Sequence, residues 1–157
     1  MDRTALYAGS FDPFTNGHLN IVQRGLQLFD KIEIVVAVSP NKKSLIPMKE
    51  RQQIIQNVFV NEPRVNVSAW GGLLVDYAQK HKIHFILRGL RPTGDFENEF
   101  QMASMNKHLY ENIETFFLTT SEDHYYVSSS LVKEVFNHGG AVDDLVPPEV
   151  LKYLKSL

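Results

Sequence analysis

Short apolar runs alternate along this chain with stretches whose apolar positions recur every three or four residues. Residues 4–9, Thr-Ala-Leu-Tyr-Ala-Gly, read as a buried strand that ends on glycine. Leu19, Val22, Leu26 and Phe29 then fall at helical spacing and define one apolar face. A strand expected over 31–39 contains Ile34-Val35-Val36-Ala37-Val38, too continuous a run for a half-exposed strand. Strands buried on both faces of a parallel sheet have this pattern. After Pro40 and the loop Asn41-Lys42-Lys43-Ser44, Pro47 precedes a helix carrying Ile54, Ile55, Val58 and Phe59. Val65 to Trp70 gives a third strand closed by Gly71-Gly72, then a helix through Leu74, Tyr77, Ala78 and His81 and a fourth strand over Phe85-Ile86-Leu87. Asp95 suits a helix N-cap, with Phe96, Phe100 and Ala103 as that helix's apolar face. Thr115 to Thr119 is the fifth strand. Leu131, Val132, Val135 and Phe136 mark a helix stopped by Gly139-Gly140, and Pro147-Pro148 opens a last one through Leu151 and Leu154.

Strands alternating with helices predict an α/β fold, a doubly wound, mainly parallel five-stranded sheet with helices on both faces. No repeat, low-complexity segment or linker divides the sequence, so residues 1–157 are expected to form one domain. In such sheets ligands bind beyond the carboxyl ends of the strands, where the strand order reverses. The loops after strands 1, 2, 4 and 5 are therefore the places to search for chemistry.

Composition narrows the chemistry. With 43% hydrophobic and 22% charged residues the chain is an ordinary globular sequence, and 16 basic against 18 acidic side chains leave a net charge of −2. That balance is no footprint for wrapping duplex nucleic acid or lying on an anionic membrane. There is no cysteine, which excludes disulfides, thiolate metal sites and a cysteine nucleophile. No apolar run approaches the ~20 residues of a membrane helix, and no signal peptide is visible, so a cytoplasmic location is expected.

The loop after strand 1 reads Gly9-Ser10-Phe11-Asp12-Pro13-Phe14-Thr15-Asn16-Gly17-His18 and runs into the first helix. Its glycines permit close backbone approach, and a helix start offers unpaired N–H groups to an anion. His18 at that start is expected to be held neutral by the helix dipole while still able to donate one hydrogen bond to a phosphate oxygen. The same residues also make an ordinary Asp-Pro and Asn-Gly turn with a surface histidine. Lys42 and Lys43 read either as solvated loop charge or as partners for an anionic substrate. Arg88-Gly89-Leu90-Arg91 at the end of strand 4 can clamp phosphates, or can pair with Asp95, Glu97 or Glu99. Val127-Ser128-Ser129-Ser130 offers a second hydroxyl-rich helix start, or simply an N-cap. The dinucleotide fingerprint, the Walker lysine, the nucleophile elbow and metal-type histidine spacing are all missing. His81, His84, His108 and His138 read as packing or surface residues, and Asp143-Asp144 as a solvated acidic turn.

Ser10-Phe11-Asp12-Pro13 with Thr15-Asn16-Gly17-His18 resembles the (T/H)-x-G-H signature of the nucleotidyltransferase superfamily, and Val127-Ser128-Ser129-Ser130 resembles its I-S-S-S signature. Asn41-Lys42-Lys43, Arg88-Gly89-Leu90-Arg91 and Asp95-Phe96-Glu97-x-Glu99 resemble one branch, the bacterial phosphopantetheine adenylyltransferases. The likeness spans nearly the whole chain. It implies a Rossmann-like nucleotidyltransferase fold, a cytoplasmic step of coenzyme A synthesis, and transfer of AMP from ATP to 4′-phosphopantetheine with Mg²⁺ carried mainly on the ATP phosphates. The products would be 3′-dephospho-coenzyme A and pyrophosphate. It further implies a homohexamer, a dimer of trimers, with coenzyme A as a feedback inhibitor in many members.

By the same resemblance, His18 stabilises the transition state. Ser10, Lys42, Leu74 and Arg88 bind the acceptor. Ser10, Phe11, His18, Gly89, Leu90, Arg91, Glu99, His124, Tyr125, Tyr126, Val127, Ser128, Ser129 and Ser130 bind ATP. No protein residue is assigned to a metal. Position 10 is serine where threonine is common in that branch, and the hydroxyl survives. Alternatives of the same build are another small adenylyl- or cytidylyltransferase and a non-catalytic nucleotide-binding module.

Overall fold

A computed structural model describes residues 3–38, 43–92 and 94–157. Strands β1 (Thr4–Gly9), β2 (Lys31–Ala37), β3 (Val65–Trp70), β4 (Phe85–Leu90) and β5 (Glu114–Thr119) form one sheet in the order β3-β2-β1-β4-β5. Every neighbouring pair is parallel. Helices α1 (Asn16–Gly25), α2 (Met48–Val58), α3 (Leu74–His81), α4 (Asp95–Leu109), α5 (Ser129–Asn137) and α6 (Pro148–Leu154) provide the connections and the C-terminal cover.

Alternation along the central strands divides the core. Ala5 and Tyr7 of β1 face Val22 of α1, Ile55 of α2, Val132 of α5 and Val150 of α6 in one apolar cluster. Leu6 and Ala8 face the other way, with Val35 and Ile86, onto Tyr77 and Ala78 of α3. Burial of both faces explains the unbroken β-branched run of β2, whose Ile34, Val35 and Val36 are fully enclosed. The chain runs outward from β1 to β3 and then returns to place β4 on the other side of β1. The order therefore reverses between β1 and β4, and a crevice opens at their carboxyl ends.

Several elements differ from the sequence expectation. Helix α1 stops at Gly25, so Phe29 reaches the core from the turn beyond it, against Phe85 and Phe116 at 5.7 and 5.4 Å between ring centres. Strand β4 continues through Arg88, Gly89 and Leu90, which pair with Phe117, Leu118 and Thr119 of β5. Gly94, in the left-handed region at φ 77°, caps α4, and Asp95 is its first helical residue. The Asp95 carboxylate does not cap because Arg91 takes it, through the backbone N–H and the guanidinium.

Of the expected apolar face of α4, Ala103 turns toward the sheet but Phe96 and Phe100 do not. No residue of α4 is buried, and Phe96 and Phe100 are 57% and 56% exposed. The stripe turned toward the sheet is Asp95, Glu99, Ala103 and Asn106, because that side supplies carboxylates to β4 and the residue after it. A short 3₁₀ turn, Glu122–His124, precedes α5 and has no periodic signal in the sequence. The loop expected at 40–44 lies partly outside the described residues, and so do Ser39 and Lys42.

Candidate active site

The crevice at the β1/β4 reversal is a cleft of about 430 Å³. Its floor is the end of β1 and of β4, and two helix starts open onto it. Thr15 caps α1, its hydroxyl accepting from the His18 backbone N–H. The His18 ring returns the contact, with Nδ1 accepting from the Thr15 backbone N–H at 2.9 Å. This reciprocal capping box replaces the usual Glu or Gln at the third helical position with a histidine. Ser128 caps α5 in the simpler way, accepting from the Leu131 N–H at 3.1 Å. Residues of both helix starts, with the partial positive charge of a helix N-terminus, border the same cleft.

The capping box also settles the histidine tautomer. A backbone N–H can only donate, so Nδ1 carries a lone pair and the neutral ring holds its proton on Nε2. Desolvation, then the positive charges of Arg91 and Arg88, push the His18 pKa from 6.5 down to about 3. The ring is therefore an uncharged Nε2–H donor at neutral pH. Neutrality was the expectation, and burial among Phe11, Phe14 and Tyr7, with the two nearby arginines, drives it.

The two arginines are held by carboxylates from α4. Arg88 donates from Nε and Nη2 to Glu99 at 2.7 and 2.6 Å and from Nη1 to the Ala8 carbonyl at 2.6 Å. Burial works against its charge, but the paired Glu99 carboxylate outweighs it and holds the guanidinium above its usual range. Arg91 pairs with Asp95 at 2.9 Å. The paired reading of these arginines thus holds in geometry. They are ion-paired, and both line the cleft.

Of the residues singled out from sequence, Ser10, Phe11, His18, Arg88, Gly89, Arg91, Glu99 and Val127 to Ser130 line this one cleft. A Cβ at Gly89 would lie 3.1 Å from Ile21 Cγ1, so that side chain would have to shift by a few tenths of an ångström. Leu90 and Tyr125 instead line an adjoining hollow of about 490 Å³ that meets the cleft at Arg91. Leu74 lines a small recess of about 80 Å³ that shares Arg88 and Glu99 with it. His124 lies against the α1 start near Gly17, while Tyr126 is 61% exposed and lines none of these spaces. Lys42 lies outside the described residues. Ser129 is turned to the Pro13 carbonyl at 2.8 Å, which ties α5 to the β1–α1 loop.

Sequence reasoning did not single out Tyr7, Ala8, Ile21 or Thr120, which also line the cleft, and it read Asp95 as a cap and an arginine partner rather than as a cleft residue. Two of the remaining histidines have local partners: His81 stacks on Tyr77 and His84 bonds the Tyr110 hydroxyl. Asp143 pairs with Lys155 at the surface. Among the described residues no group of three His, Asp or Glu side chains is placed to hold a metal ion, and no helix is long and apolar enough to cross a membrane.

A five-stranded parallel sheet whose order reverses at a cleft between two capped helix starts defines a Rossmann-like α/β protein. Comparison with known proteins makes the assignment narrower. A family model described as cytidylyltransferase-like matches residues 6–135. The chain is 50% identical over 155 residues to the phosphopantetheine adenylyltransferase of Anaeromyxobacter dehalogenans (strain 2CP-C), covering 99% of this chain and 94% of that one. It is 48% identical over 152 residues to that of Geotalea daltonii, covering 97% and 94%. The corresponding protein of Clostridium tetani is 47% identical over 148 residues, covering 94% and 92%. The chain belongs to the cytidylyltransferase-like family and, within it, to the phosphopantetheine adenylyltransferases.

Proposed function

We propose that this chain transfers the adenylyl group of ATP to 4′-phosphopantetheine, forming 3′-dephospho-coenzyme A and pyrophosphate. The observation that carries the reading is the neutral Nε2–H of His18 at the floor of a cleft that also holds two arginines and two helix starts. An oxygen of the acceptor phosphate attacks the α-phosphorus of ATP. The new P–O bond forms as the bond to the bridging oxygen breaks, and pyrophosphate leaves with that electron pair. The attacking group is already an anion, so the protein needs neither a covalent intermediate nor a general base. Its task is to align two polyanions and stabilise the charge on the crowded phosphorus.

The chain's own groups suit that division of labour. Ser10, Arg88 and Lys42 receive the acceptor phosphate, with Leu74 against the arm beyond it. Arg91 and the Ser128 to Ser130 helix start receive the ATP phosphates, and Gly89, Leu90, Glu99 and residues 124–127 line the nucleotide. His18 donates from Nε2 to the oxygen on which charge grows. An uncharged donor suits a site where Arg88 and Arg91 already supply positive charge. Mg²⁺ fits as a passenger of the nucleotide, because both carboxylates of the cleft, Asp95 and Glu99, are engaged by arginines. When bound, it neutralises phosphate charge and favours departure of pyrophosphate.

A cytoplasmic homohexamer open to feedback by coenzyme A completes the proposal. The exposed Phe96, Phe100, Met102 and Met105 of α4 support an assembly that covers them, and light scattering at the monomer mass would refute it. The reaction is tested by offering Mg-ATP with 4′-phosphopantetheine, nicotinamide mononucleotide or glycerol phosphate. Pyrophosphate release dependent on phosphopantetheine supports the reading. Release with another acceptor overturns the substrate, and ATP binding without release favours a binding module.

A further inference from the structure

Asp12 and Glu33 are the buried carboxylates among the described residues. Glu33 is satisfied within the sheet and α3, by Asn66, Ser68 and Tyr77, and faces no cavity. Asp12 is different, because its partners come from separate segments around the cleft. Its Oδ2 accepts the Leu45 N–H and its Oδ1 the Ile46 N–H, both at 2.9 Å, from the stretch that follows residue 42. Oδ2 also accepts from Lys133 Nζ, at 3.1 Å, on α5. Beside it the buried Arg51 reaches from α2 to the Ser10 carbonyl and, at 3.4 Å, to the Ser44 hydroxyl.

Neither Asp12 nor Lys133 lines the cleft, and each is already engaged. Asp12 is thus no base, and Lys133, though it stands on the helix with the serine-rich start, is no phosphate ligand. We propose that Asp12 is a positioning residue that clasps residues 43–47 and helix α5 to the loop carrying Ser10 and His18, with Lys133 acting through it on the acceptor side of the cleft. The clasp is built for a carboxylate. Two backbone N–H groups and an ammonium converge on it, and only an anion without protons of its own accepts from all three. Asparagine would set its NH₂ against one of those donors and leave a buried N–H without a partner. The proposal rests on the acceptor reading of Ser10 given above, and its test separates the two.

Lys133→Met, Asp12→Asn and the double variant are compared with the parent by KM for each substrate and by amide hydrogen exchange at Leu45 and Ile46. The expected result for Lys133→Met is an acceptor KM raised about tenfold, an ATP KM within about twofold, and faster exchange at both amides. Asp12→Asn should act in the same direction, and the double variant should be no worse than Asp12→Asn, the mark of two residues on one path. A rise in ATP KM alone for Lys133→Met would make Lys133 a phosphate ligand and overturn the clasp. A lowered Tm with both KM values unchanged would reduce it to bulk stability, which also overturns it. Unchanged exchange at Leu45 and Ile46 does the same. If the parent does not turn over phosphopantetheine, the acceptor reading fails, and the clasp is then decided by exchange at those amides in Lys133→Met alone.

Discussion

Replacing His18 with alanine removes two things at once, and the structure allows them to be separated. The first is the Nε2–H donor at the cleft floor. Loss of one preorganised donor to a developing oxyanion costs about 2.7–4 kcal/mol, or roughly 10²–10³ in kcat. The second is half of the capping box, since Nδ1 no longer accepts the Thr15 N–H. A lost cap costs about 1 kcal/mol, roughly 2–4 °C in Tm for a chain of this size. His18→Ala should therefore lose activity by two to three orders of magnitude, lose a few degrees of stability, and hold its ATP KM within a few-fold. His18→Gln separates the effects, because glutamine at the same helical position can accept the Thr15 N–H. It should recover most of the lost Tm and little of the lost kcat. Steady-state kinetics with calorimetry on both variants measures this. A His18→Ala enzyme whose kcat stays within tenfold of the parent would refute the reasoning.

Further outcomes follow from the same geometry. Arg88→Ala should raise the acceptor KM and Arg91→Ala the ATP KM, each lowering kcat/KM by about 10- to 100-fold, since a hydrogen bond to a charged group is worth about 1.5–3 kcal/mol; the reverse pattern in a two-substrate kinetic matrix would exchange the two roles. Gly25→Ala would place a Cβ 2.6 Å from Leu87 Cδ2 and 3.2 Å from Ile32 Cδ1, so overpacking of about 1–3 kcal/mol should lower Tm in a thermal melt. Because His18 binds a proton near pH 6.5 when unfolded but only near pH 3 when folded, its contribution to stability is complete above pH 6.5 and is lost progressively toward pH 3. Melts of the parent between pH 6.5 and 4 should therefore fall more steeply than those of His18→Gln.

The order of strands and helices is written in the sequence because burial on both faces of β2 demands an apolar run such as Ile34 to Val36. The two capped helix starts are also legible, since Thr15 and Ser128 act within three residues of themselves. Helix α4 is not, because its apolar residues point outward while its inner stripe serves Arg88 and Arg91. A periodic pattern says which residues share a face but not which face meets the sheet. The same limit hid the first residue of α4, where the competition between capping and Arg91 for the Asp95 carboxylate is decided by geometry. Asp12 lay in full view within a signature loop, yet its partners stand 33, 34 and 121 positions away. No local rule predicts such contacts. His18 was read as neutral from its place in the helix, and the ring's surroundings, assembled from β1, the loop and β4, were not legible locally.

On the proposed reading, this cleft joins ATP and 4′-phosphopantetheine in a single displacement. The most direct test is mass spectrometry of the products formed from Mg-ATP and 4′-phosphopantetheine, with pyrophosphate measured in parallel. Dephospho-coenzyme A and pyrophosphate are expected in a one-to-one ratio, and neither product when the acceptor is omitted. Pyrophosphate without dephospho-coenzyme A, or no product from an enzyme that binds both substrates, would contradict it.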